Sequence, residues 1–214
     1  MGGWMDMILV LLILPGFVML GSSRLQACLG ALALQGMLMG VLPLVSAESP
    51  ITVRLACLAL ITIALKGVTL PRLLEKAMRR AEVRHEVEPF IGFGTSILVG
   101  IVGLAVSFWL STRLPLPGST KPSLALAIAL FNIFVGFTLL VTRKVALNQV
   151  LGYLVLESGI YIFGMALALE LPLMVELGVL LDVFVAVFVM GIMIFHISRA
   201  FEHIDTDRMS TLKE

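Results

Sequence analysis

Apolar residues run almost unbroken through seven stretches of the chain, at about 5–23, 26–46, 52–74, 90–111, 122–142, 145–169 and 172–197. A helix needs about 20 such residues to cross a bilayer, so each stretch is long enough to span. The pattern predicts an all-α polytopic membrane protein with seven transmembrane helices. Pro15 and Gly16 are expected to bend the first helix. A stretch dense in both signs of charge, Arg72 to Pro89, follows the third. The link from Ser111 to Pro122 contains Pro115, Pro117 and Gly118 and reads as a loop. It divides the chain into a four-helix N-terminal region, 1–111, with its charged segment at 72–89, and a three-helix region, 122–214. The last two runs are joined by little more than Glu170 and Pro172.

Composition gives the same class. Of 214 residues, 59% are apolar and 14% charged, and the mean hydropathy is +1.08. Ordinary globular chains are about 45–50% apolar. The net charge of +1 gives no electrostatic case for nucleic acid. Cys28 and Cys57 lie inside apolar runs without CxxC spacing and read as small packing residues, not metal ligands. No Lys or Arg precedes the first apolar run, so Met1 is taken as the start of the mature chain. The chain has no GxSxG, HExxH, P-loop or dinucleotide glycine pattern and reads as a non-enzyme. Gly30, Gly36, Gly40, Gly92, Gly94, Gly100 and Gly103 are expected to let helices approach closely.

Basic residues fix the expected orientation. With the N-terminus outside, the inner segments hold eleven: Arg24, Arg72, Lys76, Arg79, Arg80, Arg84, Arg143, Lys144, Arg199, Arg208 and Lys213. The outer segments hold three, Arg54, Arg113 and Lys121, and Lys66 remains in the membrane. The expectation is therefore N-out, C-in. Residues 72–89 read as a solvated extension of the third helix, with a docking surface for a soluble partner as the sharper alternative. His85 in this run reads as a solvated side chain.

Four ionisable residues are left inside the spans: Lys66, Glu157, Glu176 and Asp182. A charged carboxylate at mid-helix costs about 2.5–3.5 kcal/mol on insertion scales, so such a group faces helices, a partner or water. Lys66, Glu157 and Asp182 are expected at similar depth although they come from distant parts of the chain. Glu176 lies a turn from the outer end of its helix. His196, fourteen residues beyond Asp182 and on a similar face, sits towards the inner end. Together they are candidates for proton transfer. The plainer reading is a Lys–carboxylate bridge that pins helices, with His196 as an interface anchor.

These residues carry a family resemblance. Residues 124–214 resemble the small three-helix membrane components of respiratory complex I (its K component) and of multisubunit sodium/proton antiporters. The likeness lies in a basic-plus-Asn turn (Arg143, Lys144, Asn148), an acid in each of the next two helices (Glu157, Asp182) and a hydrophilic tail, FEHIDTDRMSTL. With its four preceding helices and the segment Leu65-Lys66-Gly67-Val68-Thr69-Leu70-Pro71, the whole chain resembles the membrane component E family of hydrogenase-4 and formate hydrogenlyase-type complexes. That resemblance implies an accessory membrane subunit of a redox-driven, proton- or sodium-translocating complex in the cytoplasmic membrane of a prokaryote. It implies no cofactor in this chain, with nickel–iron and iron–sulfur centres in peripheral redox subunits. The implied neighbours in the bilayer are a membrane anchor subunit and large antiporter-like subunits. The alternatives are a component of a cation/proton antiporter without redox chemistry, a purely structural scaffold, and a stand-alone transporter.

Overall fold

The computed structural model describes residues 2–46, 53–80, 90–114, 123–143, 146–167, 178 and 180–191. Among these every regular element is helical. Six helices are long and apolar enough to cross a membrane: α1 (Gly3–Gly21), α2 (Leu25–Ser46), α3 (Leu55–Arg79), α4 (Phe93–Arg113), α5 (Leu124–Thr142) and α6 (Leu147–Ala166). A further apolar helix, α7 (Leu180–Gly191), lies inside the expected seventh span, whose remaining residues are outside those described.

Local chemistry sets the breaks. α1 is interrupted at Leu12, between Gly2–Leu11 and Ile13–Gly21. Pro15 has no N–H for the carbonyl four residues back, Leu11, and its ring crowds that carbonyl. The break therefore falls one turn before the proline, not at it. In α3, Ile63–Thr69 is wound as a π-helix, ahead of Leu70–Arg80. Pro71 stands in the same relation to Gly67, and the wider winding lies where its missing N–H disturbs the ladder. The π-segment is closed by wide bonds: the Leu70 N–H and the Thr69 hydroxyl donate to the Leu65 and Ala64 carbonyls. α5 starts at Ser123, whose hydroxyl accepts from the Leu126 N–H at 3.4 Å.

The third helix continues through Arg80 and leaves the apolar zone as an amphipathic rod. Leu70, Leu74, Ala77 and Met78 are buried, whereas Arg72, Lys76 and Arg79 are exposed. The Glu75–Arg79 pair, four residues apart, closes at 2.8 Å. Of the charged stretch 72–89, residues 72–80 thus continue the third helix; residues 81–89, with His85, lie outside those described.

Glycine notches bring the helices together, though not at every expected position. A Cβ at Gly36 would lie 2.6 Å from the Lys66 carbonyl oxygen, and one at Gly40 would run into Ile63. Thus α2 meets α3 backbone to backbone through a GxxxG pair. Gly136, Gly152 and Gly159 do the same between α5 and α6. Gly100 and Gly103 receive Leu20 and Phe134. Gly30 and Gly94 have nothing within 4 Å and Gly92 only its own helix's Thr95, so the packing expectation is corrected at these three. Cys28 is buried, whereas Cys57 is exposed on α3 and is not a packing residue.

Buried apolar residues form two clusters. One contains Met19, Leu20, Leu29, Leu32, Leu70, Phe131, Val135, Leu151 and Val155. The other contains Ile8, Leu9, Met39, Leu42, Ala125, Ile128, Ala129, Tyr161 and Ile162. Along α2 the boundary falls between Leu32 and Met39, along α5 between Phe131 and Ala129, and along α6 between Val155 and Tyr161. Gln35, Asn132 and Glu157 are buried at that boundary.

Candidate functional site

The boundary between the two apolar layers holds three ionisable side chains. Lys66 Nζ lies 2.7 Å from Glu157 Oε1 and 3.7 Å from Asp182 Oδ1. Exposures are 9% for Lys66, 4% for Glu157 and 1% for Asp182. Three helices supply one residue each. Lys66 is the middle residue of the π-segment of α3, whose backbone is seated in the Gly36 notch of α2. Glu157 is midway along α6. Gly178, one turn before Asp182, brings its backbone so near that a Cβ there would lie 3.4 Å from Glu157 Oε1. Lys66, Glu157 and Asp182, expected at similar depth, are brought together by helices of the same chain. Glu176 and His196 lie outside the described residues.

Beside the ammonium is a cavity of about 10 Å³, lined by Leu32, Gly36, Lys66, Leu70, Leu154 and Ser158. That is space for a single water centre. The Ser158 hydroxyl donates to the Leu154 carbonyl at 2.9 Å, which leaves its lone pairs to accept. Among the described residues no cluster of His, Cys, Asp and Glu is arranged to hold a metal ion. The chemistry available at the trio is charge pairing and proton exchange.

Two neutral residues that charge counting passed over lie at the same level. Gln35 of α2 and Asn132 of α5 are both fully buried, and the Gln35 Nε2 donates to Asn132 Oδ1 at 3.0 Å. The Asn132 Nδ2 donates in turn to the Ile128 carbonyl at 2.9 Å. Their only mark in the sequence is a lone amide in an otherwise apolar span, as in LALQGML and LFNIF.

At one end of the bundle Arg143 is 2% exposed. Its Nη2 donates to the Leu20 carbonyl at 2.6 Å, and its guanidinium stacks over the Phe93 ring at 4.5 Å from the centroid. The side chain closes a carbonyl at the C-terminus of α1 and ties together the ends of α1, α4 and α5. The Phe90 N–H donates to the Thr142 carbonyl at the same end. Arg143, expected in a basic turn, is therefore a buried clasp. The chain's two tryptophans, Trp4 and Trp109, fall at the opposite end and are exposed, with Arg113 over the Trp109 ring at 5.6 Å. Tryptophan in that setting marks a membrane–water interface.

The helices, their glycine notches and the exposed apolar faces of α4 and α7 define a polytopic helical membrane protein with an ion trio sealed between its helices. The chain belongs to the same family as Uncharacterized protein Rv0085 of Mycobacterium tuberculosis (strain ATCC 25618 / H37Rv), to which it is 30% identical over 209 residues, 95% of this chain and 93% of that protein. It is also 30% identical over 119 residues to Hydrogenase-4 component E of Escherichia coli (strain K12), and equally to that of Shigella flexneri. That match covers 55% of this chain and spans about half, 54%, of the hydrogenase-4 component. No family model matches the chain, and no solved structure matches it.

Proposed function

We propose that the chain is a non-catalytic membrane subunit of a hydrogenase-type, complex-I-like machine, and that Lys66, Glu157 and Asp182 form one segment of its path for protons. The observation that carries this reading is the trio itself: one ammonium within 2.7 and 3.7 Å of two carboxylates, in the middle of an apolar bundle. One ammonium cannot neutralise two carboxylates. A further proton makes the trio neutral, and that proton is exchangeable between three groups in mutual reach. The likeness to Hydrogenase-4 component E supports the assignment to a hydrogenase-type complex. In this reading nickel–iron and iron–sulfur centres belong to peripheral redox subunits. The region from α5 onward takes the part of the small three-helix components of complex I and the antiporters, beside large antiporter-like subunits and a membrane anchor. The chain crosses the cytoplasmic membrane seven times, N-terminus outside, which puts Trp4 and Trp109 at the outer interface and Arg143 at the inner one.

The test is Glu157→Gln in the whole complex, reconstituted in vesicles, with proton uptake followed against substrate turnover. Proton movement is expected to fall while assembly and turnover persist; pumping at the wild-type ratio removes Glu157 from the route. The close Lys66–Glu157 contact favours one competing reading, a structural pin. That reading expects Glu157→Gln to lower the amount of assembled complex and leave the ratio of protons to turnover unchanged.

A further inference from the structure

The amide pair beside the trio has a polarity that its hydrogen bonds fix. Because the Asn132 Nδ2 is committed to the Ile128 carbonyl, its Oδ1 is the atom turned to Gln35. Gln35 must then present Nε2 to Asn132, which leaves Gln35 Oε1 as a fully buried acceptor without a hydrogen-bond partner. A second buried group is also unpartnered, the hydroxyl of Tyr161, a residue only 8% exposed. The Tyr161 ring packs in the cluster that contains Met39, one turn from Gln35, and Ile128, one turn from Asn132. An acceptor on α2 and a donor on α6 are thus both buried beside this cluster, each lacking what the other offers. A buried polar group left dry and unpaired forfeits the hydrogen bond that water would give it. Tyr161 is also four residues beyond Glu157, about 6 Å further along the same face of α6 and away from the Arg143 end.

We propose that Gln35, Asn132 and Tyr161 hold buried water and form a neutral branch from the Lys66–Glu157–Asp182 trio towards the membrane face that bears Trp4 and Trp109. The amides do not change charge. They orient water between Gln35 Oε1 and the Tyr161 hydroxyl. Gln35 is next to Gly36, the notch that seats the Lys66 backbone, and this joins the branch to the trio. A proton leaving a carboxyl of the trio is taken by a water oxygen, which releases another proton onward. The Tyr161 oxygen likewise takes one as it gives one, so no charge is left behind and no oxidant or reductant is needed. The proposal rests on the trio being a proton site, and its test separates the two claims.

The test uses the whole complex in vesicles, with Tyr161→Phe, Gln35→Leu and Glu157→Gln compared for assembly, turnover and protons moved per turnover. Tyr161→Phe keeps the ring that packs in the cluster of Met39 and Ile128, so it is the variant that preserves the fold. The expected result is that Tyr161→Phe and Gln35→Leu both lose proton movement as Glu157→Gln does, with turnover retained. A wild-type ratio in Tyr161→Phe while Glu157→Gln is impaired overturns the branch and leaves the trio. A wild-type ratio in Glu157→Gln overturns the trio, and the branch with it. Water itself is read by hydroxyl-radical labelling of the purified complex. The chain has two tyrosines, and half-buried Tyr153 serves as the internal control. Tyr161 is expected to be oxidised in the wild type in spite of its burial and to lose that labelling in Gln35→Leu. Labelling of Tyr153 with none at Tyr161 in the wild type overturns the proposal.

Discussion

Replacing Lys66 by Met removes the buried cation that, among the described residues, pairs with Glu157 and Asp182. At an effective dielectric of about 20, unit charges 2.7 and 3.7 Å apart attract by about 6 and 4.5 kcal/mol, gross of desolvation. Desolvation returns several kcal/mol for each ion, so the net worth of the contacts is far smaller than their sum. Removing one partner nevertheless leaves two carboxylates in an apolar bundle, and the expected loss is about 3–5 kcal/mol. Glu157→Gln leaves Asp182 as the counter-ion and is expected to cost about 1.5–3 kcal/mol. In Lys66→Met with Glu157→Gln the orphaned carboxylates fall from two to one. The double variant should therefore be more stable than the two single losses predict, by a coupling of about 1.5–3 kcal/mol. The assay is unfolding in detergent micelles titrated with a denaturing surfactant, followed by helical circular dichroism, for all four proteins of the cycle. Additivity within about 0.5 kcal/mol would falsify the assignment of these residues to one electrostatic unit.

Three further outcomes follow from the packing. Gly36→Leu drives a side chain into the Lys66 backbone and is expected to cost about 3 kcal/mol or more in the same unfolding assay, whereas Gly30→Ala, with nothing within 4 Å, should be silent. Arg143→Met loses the bond to Leu20 and the stack on Phe93; a loss of about 2–4 kcal/mol is expected, and Arg143→Lys should recover only part of it, because an ammonium cannot both stack and reach. Cys57 is exposed near the end of α3 remote from Arg143, and Cys28 is buried. A membrane-impermeant maleimide applied to intact cells should label Cys57 and spare Cys28, and labelling of Cys57 only in inverted vesicles would reverse the proposed orientation.

The spans and the trio were legible for the same reason: a charge is scarce in a lipid-soluble chain, so Lys66, Glu157 and Asp182 stand out by being there at all. What scarcity cannot give is partnership. Arg143 counts as one more basic residue in a turn until the fold brings Leu20, 123 positions earlier, against it. Gln35 and Asn132 carry no charge and pass as ordinary polar residues; their burial depends on α2 and α5 meeting, which no local pattern states. The π-winding around Lys66 shares its hydrophobic run with an α-helix and differs only in the ladder, for which Pro71 was the sole local sign. Glycine was ambiguous for a related reason. Gly36 and Gly40 form a notch and Gly30 does not, because a small residue permits close approach without specifying which helix comes to it.

Economy separates a pin from a relay. A pin needs one cation and one carboxylate, and Lys66 with Glu157 at 2.7 Å supplies both. Asp182, 1% exposed and 3.7 Å from the same ammonium, adds a surplus negative charge in a place where an uncompensated one costs about 2.5–3.5 kcal/mol. If pinning were the whole purpose, Asp182→Asn would keep the shape, relieve that charge and leave the chain as stable or more stable, with coupling intact. If the surplus charge is the seat of the exchangeable proton, the same substitution leaves stability unchanged or raised and abolishes proton movement in the assembled complex. Stability and pumping, measured on one variant, thus move apart in the relay and stay together in the pin. An Asp182→Asn complex that assembles fully and still moves protons at the wild-type ratio leaves the second carboxylate without a role in transport.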